Sequence, residues 1–385
     1  MSRFLKIAIV LLAIAAMAAP AFAADNLTLG GQMRVRGWYV DADTADGSTS
    51  TWADQRLRIG GKFTVAEGVS ITFRTDFSEQ NWGSNPAYGR TAWQLDRSHL
   101  DLDFSAFHLR AGQLYAGYGM TQVINSESTG AKFDLKAIPL SFFVLLDDDN
   151  DSNSDSFLYA ANYALKTDAV KANFIIAGHN DGAEENVNLF SADATMNFDA
   201  VKVAAELDFF TGDANDAAGI DAMGTQFFTD VSFAASEALT VGGQFYYAQG
   251  ADTDGSEVQY TYLGNDFNGY DPLFDLGTSL SNEKIAIQRP FDFTGDNAGA
   301  IGARVYLTGK ANDALGYGAS FGYMEPEEDG NTTIDSAMFY AVAMKYTVMA
   351  NTSLQAQLQY IDIDDDDATA ADSILAGGVG LFVNF

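Results

Sequence analysis

The chain has 385 residues, a formal net charge of −31, no Cys and only three His. Charged residues make up 19% of the chain, whereas 47% are apolar and 13% aromatic, which excludes a disordered protein. The negative charge excludes a nucleic-acid partner, because phosphates would be repelled. The lack of Cys excludes a disulfide scaffold and cysteine-ligated metals. With so few His, we predict no metal site and no cofactor.

Residues 1–23 have the pattern of a secretory signal peptide. Arg3 and Lys6 precede an apolar run from Ile7 to Ala19, and the segment from Ala21 to Ala23 has the small residues of a cleavage site. The apolar run is short for a membrane-spanning helix. We therefore expect cleavage after Ala23, which leaves residues 24–385 as one exported domain.

Beyond Ala23 the dominant pattern is strict alternation of apolar with polar residues. In the first segment, Leu27, Leu29, Met33 and Val35 share one face, while Arg34 lies on the other. Such segments of about ten residues, separated by turns, are typical of a barrel that places one face against lipid and the other toward a lumen. The pattern predicts an all-β fold, a transmembrane antiparallel up-and-down β-barrel of about 16–18 strands.

Eighteen segments fit this pattern, and sixteen strands is the alternative because the 250–297 stretch and the 130–147 hairpin are the least regular. The predicted strands lie near 26–41, 52–65, 69–80, 93–104, 107–115, 130–138, 140–147, 156–166, 170–179, 186–198, 201–211, 224–234, 239–249, 298–308, 315–324, 336–347, 352–363 and 373–385. Their connectors are short and long in turn, and the long ones are acidic. This predicts short periplasmic turns and long acidic extracellular loops.

The last strand ends the chain on Phe385, with Val379, Leu381 and Val383 on the same face. This ending resembles the assembly signal of Gram-negative outer-membrane barrels. The segment from Leu109 to Gly119 is similar to the fifth strand of bacterial porins, which leads into a loop folded into the pore. The resemblance implies an outer-membrane porin, a channel for small solutes and ions that contacts lipid and lipopolysaccharide and assembles as a homotrimer.

The basic residues of the first five strands all fall on the polar face. A charge on the lipid face near the midplane costs about 2–4 kcal/mol, so we expect these side chains to line the lumen. We name this set the basic ladder: Arg34, Arg36, Arg56, Arg58, Lys62, Arg74, Arg97 and Arg110. The alternative is that the early strands are basic without a role in transport.

Cross-strand register predicts which acids face the basic ladder. With a tight turn at Ser105-Ala106, Asp103 faces His108 and Asp101 faces Arg110. In the second hairpin, Arg58 faces Asp76. Opposite charges in such positions attract across an antiparallel pair. His99 and His108 are expected to be paired lumen residues rather than metal ligands.

Two connectors are candidates for insertion into the pore. The loop from Ala116 to Thr129 is the candidate constriction loop, and it presents Tyr118, Met120, Gln122 and Glu127. The acidic and aromatic segment 250–297 is long enough to fold over or into the mouth, since structureless loops of such length are usually functional. The acidic runs at 147–155 and 362–367 are candidates for loose divalent-cation binding, although Ser154 replaces the glycine of a calcium loop.

Several functions remain open at this point. A passive diffusion porin is the first, and a channel selective for a sugar or an anion is the second. A sheath for a partner protein and a barrel enzyme such as a protease or phospholipase are less favoured. Ser98 and His99 point to opposite faces of one strand. His179, near an extracellular end, has no evident nucleophile to activate, so we predict that the protein is not an enzyme.

Overall fold

The computed structural model describes residues 26–43, 48–81, 94–148, 155–182, 184–264, 297–366 and 372–385. Within these ranges the chain consists of nineteen β-strands and two short 3-10 turns, Asp216–Ala218 and Asp329–Asn331. None of the helices in the described ranges is long and apolar enough to span a membrane. The predicted cleavage of residues 1–23 lies outside the described residues.

The strands follow one another with few interruptions. They are β1 Leu27–Ala42, β2 Ser48–Ala66, β3 Val69–Asn81, β4 Gln94–Asp103, β5 Phe107–Tyr118, β6 Ile124–Leu135, β7 Leu140–Asp148, β8 Ser156–Lys166, β9 Val170–Asn180, β10 Asn186–Phe198, β11 Val201–Asn215, β12 Ile220–Ser236, β13 Leu239–Ala248, β14 Glu257–Gln259, β15 Ala300–Lys310, β16 Leu315–Glu325, β17 Ile334–Met349, β18 Thr352–Asp365 and β19 Ser373–Asn384.

Eighteen of these strands form a closed antiparallel barrel. Each pairs with the next along the chain, and β1 pairs with β19 to close the wall, from Gln32 opposite Asn384 to Ala42 opposite Ile374. The exception is β14, which pairs in parallel with the end of β12 and takes no place in the wall. The expectation of a barrel with up to eighteen strands is confirmed, and sixteen is too few.

The alternation in the sequence becomes an outer and an inner face. Along β9, Phe174 is 53% exposed and Ile176 61%, whereas Ile175 is 1% and Ala177 2% exposed. Apolar side chains cover the outside in this way on every wall strand, as a lipid-facing surface requires. The last strand follows the same alternation. Gly377 is on the outer face, whereas the neighbouring Ala376 is buried on the inner face.

The two ends of the barrel differ. At one end the strands are joined by tight turns such as Glu67-Gly68, where Gly68 adopts a φ of 72° that suits a two-residue hairpin. The first and last strands also begin and end there, because Leu27 pairs with Phe63 close to that turn. The other end carries the long connectors.

The lumen is partly filled by two connectors from the long-loop end. The five residues between β5 and β6, Gly119–Val123, fold inward, and so do residues 250–264, which contain β14. Val123, Ile124 and Leu263 pack in one buried cluster with inward residues of the wall, such as Leu145 and Leu189. We call Gly119–Val123 the inserted loop and 250–264 the second inserted segment.

The inserted loop is shorter than the sequence suggested. The expected loop from Ala116 to Thr129 is wrong in extent, because β5 continues to Tyr118 and β6 begins at Ile124. The residues Ile124 to Gly130 are mostly small and polar, so their alternation is weak. Pairing with β5, from Phe107 opposite Leu135 to Tyr118 opposite Ile124, makes them strand.

Candidate functional site

All eight members of the basic ladder lie on the inner face of β1–β5. Register places Arg34 opposite Arg56 and Arg74 opposite Arg97, so like charges face each other across neighbouring strands. Lys62 is the most exposed member, near the tight turn that follows β2. Like charges directly opposite each other are unfavourable. Carboxylates inserted between the arginines are therefore needed to hold this arrangement.

Asp54 and Asp76 are two such carboxylates, and both are buried. Arg36 donates from Nε to Asp54 at 2.8 Å and from Nη2 at 3.1 Å, and Trp38 Nε1 donates to the same carboxylate at 2.8 Å. Arg58 donates two hydrogen bonds of 2.6 Å to Asp76, as its register predicted. Paired donors of this kind fix the guanidinium plane as well as its position.

Asp96 is a third carboxylate, which the alternation did not place in the lumen. Opposite Arg74 and Thr75, β4 has one residue more than β3, so Asp96 forms a bulge and turns inward beside Arg97. Its carboxylate pairs with the Nε of Arg74. Glu127 on β6 completes the group, with Oε1 at 3.2 Å from Arg74 and 3.8 Å from Arg97.

Near the tight turns the predicted registers are confirmed but the ion pairs differ. Asp101 is opposite Arg110 and Asp103 is opposite His108. Arg110 nevertheless donates to Asp134 on its other side, at 2.7 Å, because β6 also presents a carboxylate there. Asp103 pairs with Lys136 at 2.6 Å.

Asp101 is instead surrounded by weaker donors. It accepts from the Thr72 hydroxyl at 2.7 Å, and His99 and His108 lie at 3.7 and 3.5 Å. Within the described residues no group of three or more His, Asp or Glu is placed to hold a metal ion. Most of the acidic run 147–155 lies outside them.

A set of buried acids lies on the opposite wall. Glu206 and Asp208 on β11 are each 1% exposed, and Asp193 on β10 is 7% exposed. Strand β11 is nine strands from β2 in the eighteen-strand wall, so these acids face the basic ladder across the lumen. We call them the acid wall. Sequence reasoning missed it, although Glu206 and Asp208 alternate with the outward Leu207 and Phe209 and parity alone would have found them.

The acid wall holds the inserted loop. Glu206 accepts hydrogen bonds from the backbone N–H groups of Met120 and Thr121 and from the Thr121 hydroxyl, the last at 2.6 Å. Gly119, with a φ of 80°, lies so close to Glu206 that a Cβ would clash with the carboxylate. The loop joins β5 to β6 but contacts β11, which is six positions from β5 in the wall, so it crosses the lumen.

The four predicted constriction residues are therefore divided. Met120 and Gln122 lie in the inserted loop, where Gln122 has a φ of 55°. Tyr118 ends β5, stacks on Phe143 and lies under the Lys132 ammonium at 4.7 Å. Glu127 lies on β6 and pairs with Arg74 and Arg97 of the basic ladder.

The second inserted segment meets this loop inside the barrel. It extends the end of β12, where Asp221 is opposite Glu257, and the amide of Gln226 donates to the carbonyl of Thr261 at 2.9 Å. Leu263 then exchanges backbone hydrogen bonds with Val123 and Asn125, at 2.8 and 2.9 Å. The two connectors are thus hydrogen-bonded to each other and narrow the lumen between two parts of the wall, β6 and β12, that are six strands apart.

The expectation that His179 has no evident nucleophile nearby is wrong, because a serine and a carboxylate lie at hydrogen-bonding distance from its ring. Ser156 Oγ lies 2.7 Å from His179 Nε2, and Glu185 Oε1 lies 2.7 Å from Nδ1. Burial, followed by the Glu185 carboxylate, raises the pKa of Tyr260 in the second inserted segment, so its phenol stays protonated beside Glu185. This network links β8, β9 and the start of β10 at the long-loop end.

Comparison with known proteins agrees with this geometry. The family model for Gram-negative porins matches residues 10–141, which include β1–β6 and the whole basic ladder. No curated protein sequence matches the chain. OpdL of Pseudomonas aeruginosa superposes with a TM-score of 0.62 at 11% identity, covering 93% of this chain and 98% of that one. The chain folds as a porin-like β-barrel.

Two further solved structures share the fold of this porin-like barrel. OccK11 (OpdR) of P. aeruginosa is 10% identical with a TM-score of 0.60, and the match covers 93% of this chain and 96% of that one. A Comamonas acidovorans porin described as anion-selective is 12% identical with a TM-score of 0.54, covering 93% and 99%. In porins the tight turns face the periplasm and the long loops face outward. The inserted loop and the second inserted segment both enter the lumen from the long-loop end.

Proposed function

We propose that the protein is a channel for passive diffusion of small hydrophilic solutes and ions across the outer membrane. The observation that carries this proposal is the lumen between the basic ladder and the acid wall, narrowed by two connectors that hydrogen-bond to each other. A charged and hydrated constriction lets polar solutes pass, while apolar solutes lose favourable interactions on leaving bulk water.

Conductance of the purified protein in planar bilayers tests this function. We expect single-channel current that rises linearly with voltage and shows no block by common sugars. A protein that inserts but passes no current contradicts the proposal.

Selectivity for anions is the second candidate, because the arginines of the basic ladder line the lumen. Carboxylates such as Asp76, Asp96 and Glu127 neutralise part of that charge, and the net charge of −31 attracts cations to the mouth. The reversal potential in a salt gradient shows whether the arginines of the lumen or the negative charge at the mouth controls ion selectivity. A potential of the anion-selective sign indicates that the arginines control transport.

We infer that Ser156, His179 and Glu185 are structural and that the protein is not an enzyme. Ser156 is only 6% exposed, so its hydroxyl has little room for a substrate carbonyl, which a nucleophile must approach to about 3–3.5 Å. Treatment with a serine-directed fluorophosphonate tests this point. Labelling that disappears in Ser156→Ala would contradict it.

We also propose that the mature protein begins at Ala24 and assembles as a homotrimer among lipid and lipopolysaccharide. The outward Gly377, without a side chain, supports a close contact between subunits, and the porin fold supports the assembly. N-terminal sequencing and native mass spectrometry in mild detergent test the two points. A mature chain beginning at Met1, or a monomer, would contradict them.

A further inference from the structure

We propose that the periplasmic mouth of the lumen contains a binding site for small phosphate-class anions, formed by Lys310 and Lys345 on either side of Gly316. This inference extends the proposed channel function by naming a solute class and a place on the wall where it binds. The site is separate from the basic ladder, because it lies on β13 and β15–β17.

Register brings the two lysines together on the inner face. Lys310 of β15 is opposite Gly316 of β16, and Gly316 is opposite Lys345 of β17. The lysine Cα atoms are therefore two strand spacings apart, or about 10 Å. Directly opposite residues point to the same side of a sheet, so both lysine side chains leave the inner face on either side of Gly316.

The next row along the strands provides hydroxyl groups and open space. Thr240 is opposite Thr308, and Thr308 is opposite Gly318. A Cβ at Gly316 would have only backbone carbonyl oxygens within 4 Å, at 3.6 and 3.9 Å, so no side chain occupies the space above it. A cavity of about 260 Å³ lies here, with the two lysines and the two threonines in its lining.

The charge in this cavity is unbalanced. Within the described residues, neither Lys310 nor Lys345 lies within ion-pair distance of a carboxylate. Glu237, in the turn between β12 and β13, is the one acid of the lining. Within the lining, two ammonium groups lie against one carboxylate, and Asp313 of the adjoining turn lies outside it.

This chemistry fits a small dianion better than chloride or a monocarboxylate. Each ammonium group has three hydrogen-bond donors, and each threonine hydroxyl adds one. Phosphate presents several acceptor oxygens to such donors, and lysine binds phosphate as a compact point charge. The cavity is larger than inorganic phosphate, so a phosphate monoester also fits.

A matched pair of lysines at the same rim provides the control. Lys166 and Lys171 are directly opposite each other at the tight turn between β8 and β9, and both are exposed. They carry the same charge at the same end of the barrel, but no glycine separates them. Their removal therefore reports the effect of rim charge alone.

The test measures ³¹P line broadening of inorganic phosphate, and separately of glycerol phosphate, with the purified full-length protein in detergent at about 0.1 M salt, where the Debye length is about 10 Å. Four proteins are compared: wild type, Lys310→Gln/Lys345→Gln, Gly316→Leu and Lys166→Gln/Lys171→Gln. We expect the first double variant and Gly316→Leu to weaken binding more than tenfold. We expect the control double variant to change it less than threefold. The tighter of the two probes identifies the source of the phosphate group.

Several outcomes would overturn the site. They are no broadening with wild type, equal broadening with wild type and the Lys310/Lys345 variant, or an equal loss in the control variant. Heat-modifiable mobility on gels confirms that each variant is folded. Bilayer conductance in chloride is measured on the same preparations, so a channel that conducts but does not bind phosphate disproves the site and leaves the proposed function standing.

Discussion

The arginines of the basic ladder are fixed by carboxylates rather than left free in the lumen. Arg36, Arg58 and Arg74 each pair with an Asp that is nearly inaccessible to solvent, namely Asp54, Asp76 and Asp96. Paired charges in confined water keep their geometry, and low-dielectric walls focus their field. The selectivity of the channel then depends on the balance between arginines and carboxylates at each level.

Neutralising Arg56, Arg58 and Arg74 to Gln should shift the reversal potential strongly toward cations. The change removes three positive charges and takes from Asp76 and Asp96 the arginines that pair with them, while Glu127 keeps Arg97. The matched comparison is Asp149→Asn with Asp151→Asn in an acidic loop. Those residues lie outside the described part of the chain, in the run 147–155 for which the sequence predicts a solvated acidic loop, where screening acts within about 8–10 Å. If the loop variant moves the potential more than the triple variant, the basic ladder is structural.

Arg58→Gln alone should also lower stability, because it leaves the buried Asp76 carboxylate with two lost hydrogen bonds. A hydrogen bond to a charged group contributes about 1.5–3 kcal/mol, although Arg58 is partly exposed and water reduces the loss. Adding Asp76→Asn should recover part of it, since the buried charge that lost its two hydrogen bonds is then gone. The midpoint of heat modification on gels measures both effects. A double variant less stable than Arg58→Gln would contradict this explanation.

How far the sequence predicts these positions depends on the regularity of the strand. Strict parity placed Arg34, Arg58 and Arg110 inward, because nothing interrupts the alternation around them. Asp96 has the parity of the outward Leu100, and only the bulge turns it inward. A bulge depends on how two strands pair, so one strand read alone does not reveal it.

At the scale of elements, the sequence predicts the strands of the wall but not the structure of the segments that fold into the lumen. Each wall strand carries its own alternation, so all eighteen were found, two of them with identical bounds, Ser156–Lys166 and Asn186–Phe198. The three residues of β14 have no pattern of their own. They become strand only because the end of β12 extends beyond β13 and offers free backbone groups.

The inserted loop should depend on Glu206. Glu206→Ala removes the acceptor of the Met120 and Thr121 backbone groups and should release the loop, so that single-channel current fluctuates more and open conductance changes. Glu206→Gln keeps an acceptor oxygen and should have a smaller effect. Single-channel recording at constant voltage measures both.

Asp208→Asn is the control for the loss of charge. Asp208 is on the same strand and equally buried, and it lies opposite Ser191 of β10 and beside Glu206 rather than against the inserted loop. We expect it to alter ion selectivity without added current noise. Equal noise in Asp208→Asn and Glu206→Ala would show that charge, and not loop anchoring, steadies the current.

At the scale of the whole molecule, charge is distributed along the barrel axis as well as across it. Every lysine in the described part of the chain lies at or near a tight periplasmic turn: Lys62, Lys132, Lys136, Lys166, Lys171, Lys202, Lys310 and Lys345. The extracellular connectors instead carry acids such as Asp252, Asp254, Glu327, Glu328 and Asp329. The tight turns also carry acids, among them Glu67, Asp168, Asp199, Glu237 and Asp313, which offset most of the lysine charge. Cations are therefore concentrated at the outer mouth.

This axial asymmetry should make the current depend on the sign of the voltage. With channels inserted in one orientation at about 0.1 M salt, we expect currents of opposite sign to differ by about 1.5-fold, because the outer mouth concentrates cations and the inner mouth, where acids offset the lysines, does not. At about 1 M salt the Debye length falls to about 3 Å and the difference should disappear. Replacing Lys166, Lys171 and Lys202 by Gln should reduce the asymmetry at low salt, while the midpoint of heat modification stays unchanged, since these side chains are exposed. A current that is symmetric at low salt, or an asymmetry that persists at high salt, would place its origin in the inserted loop and the second inserted segment rather than in the charges of the two mouths.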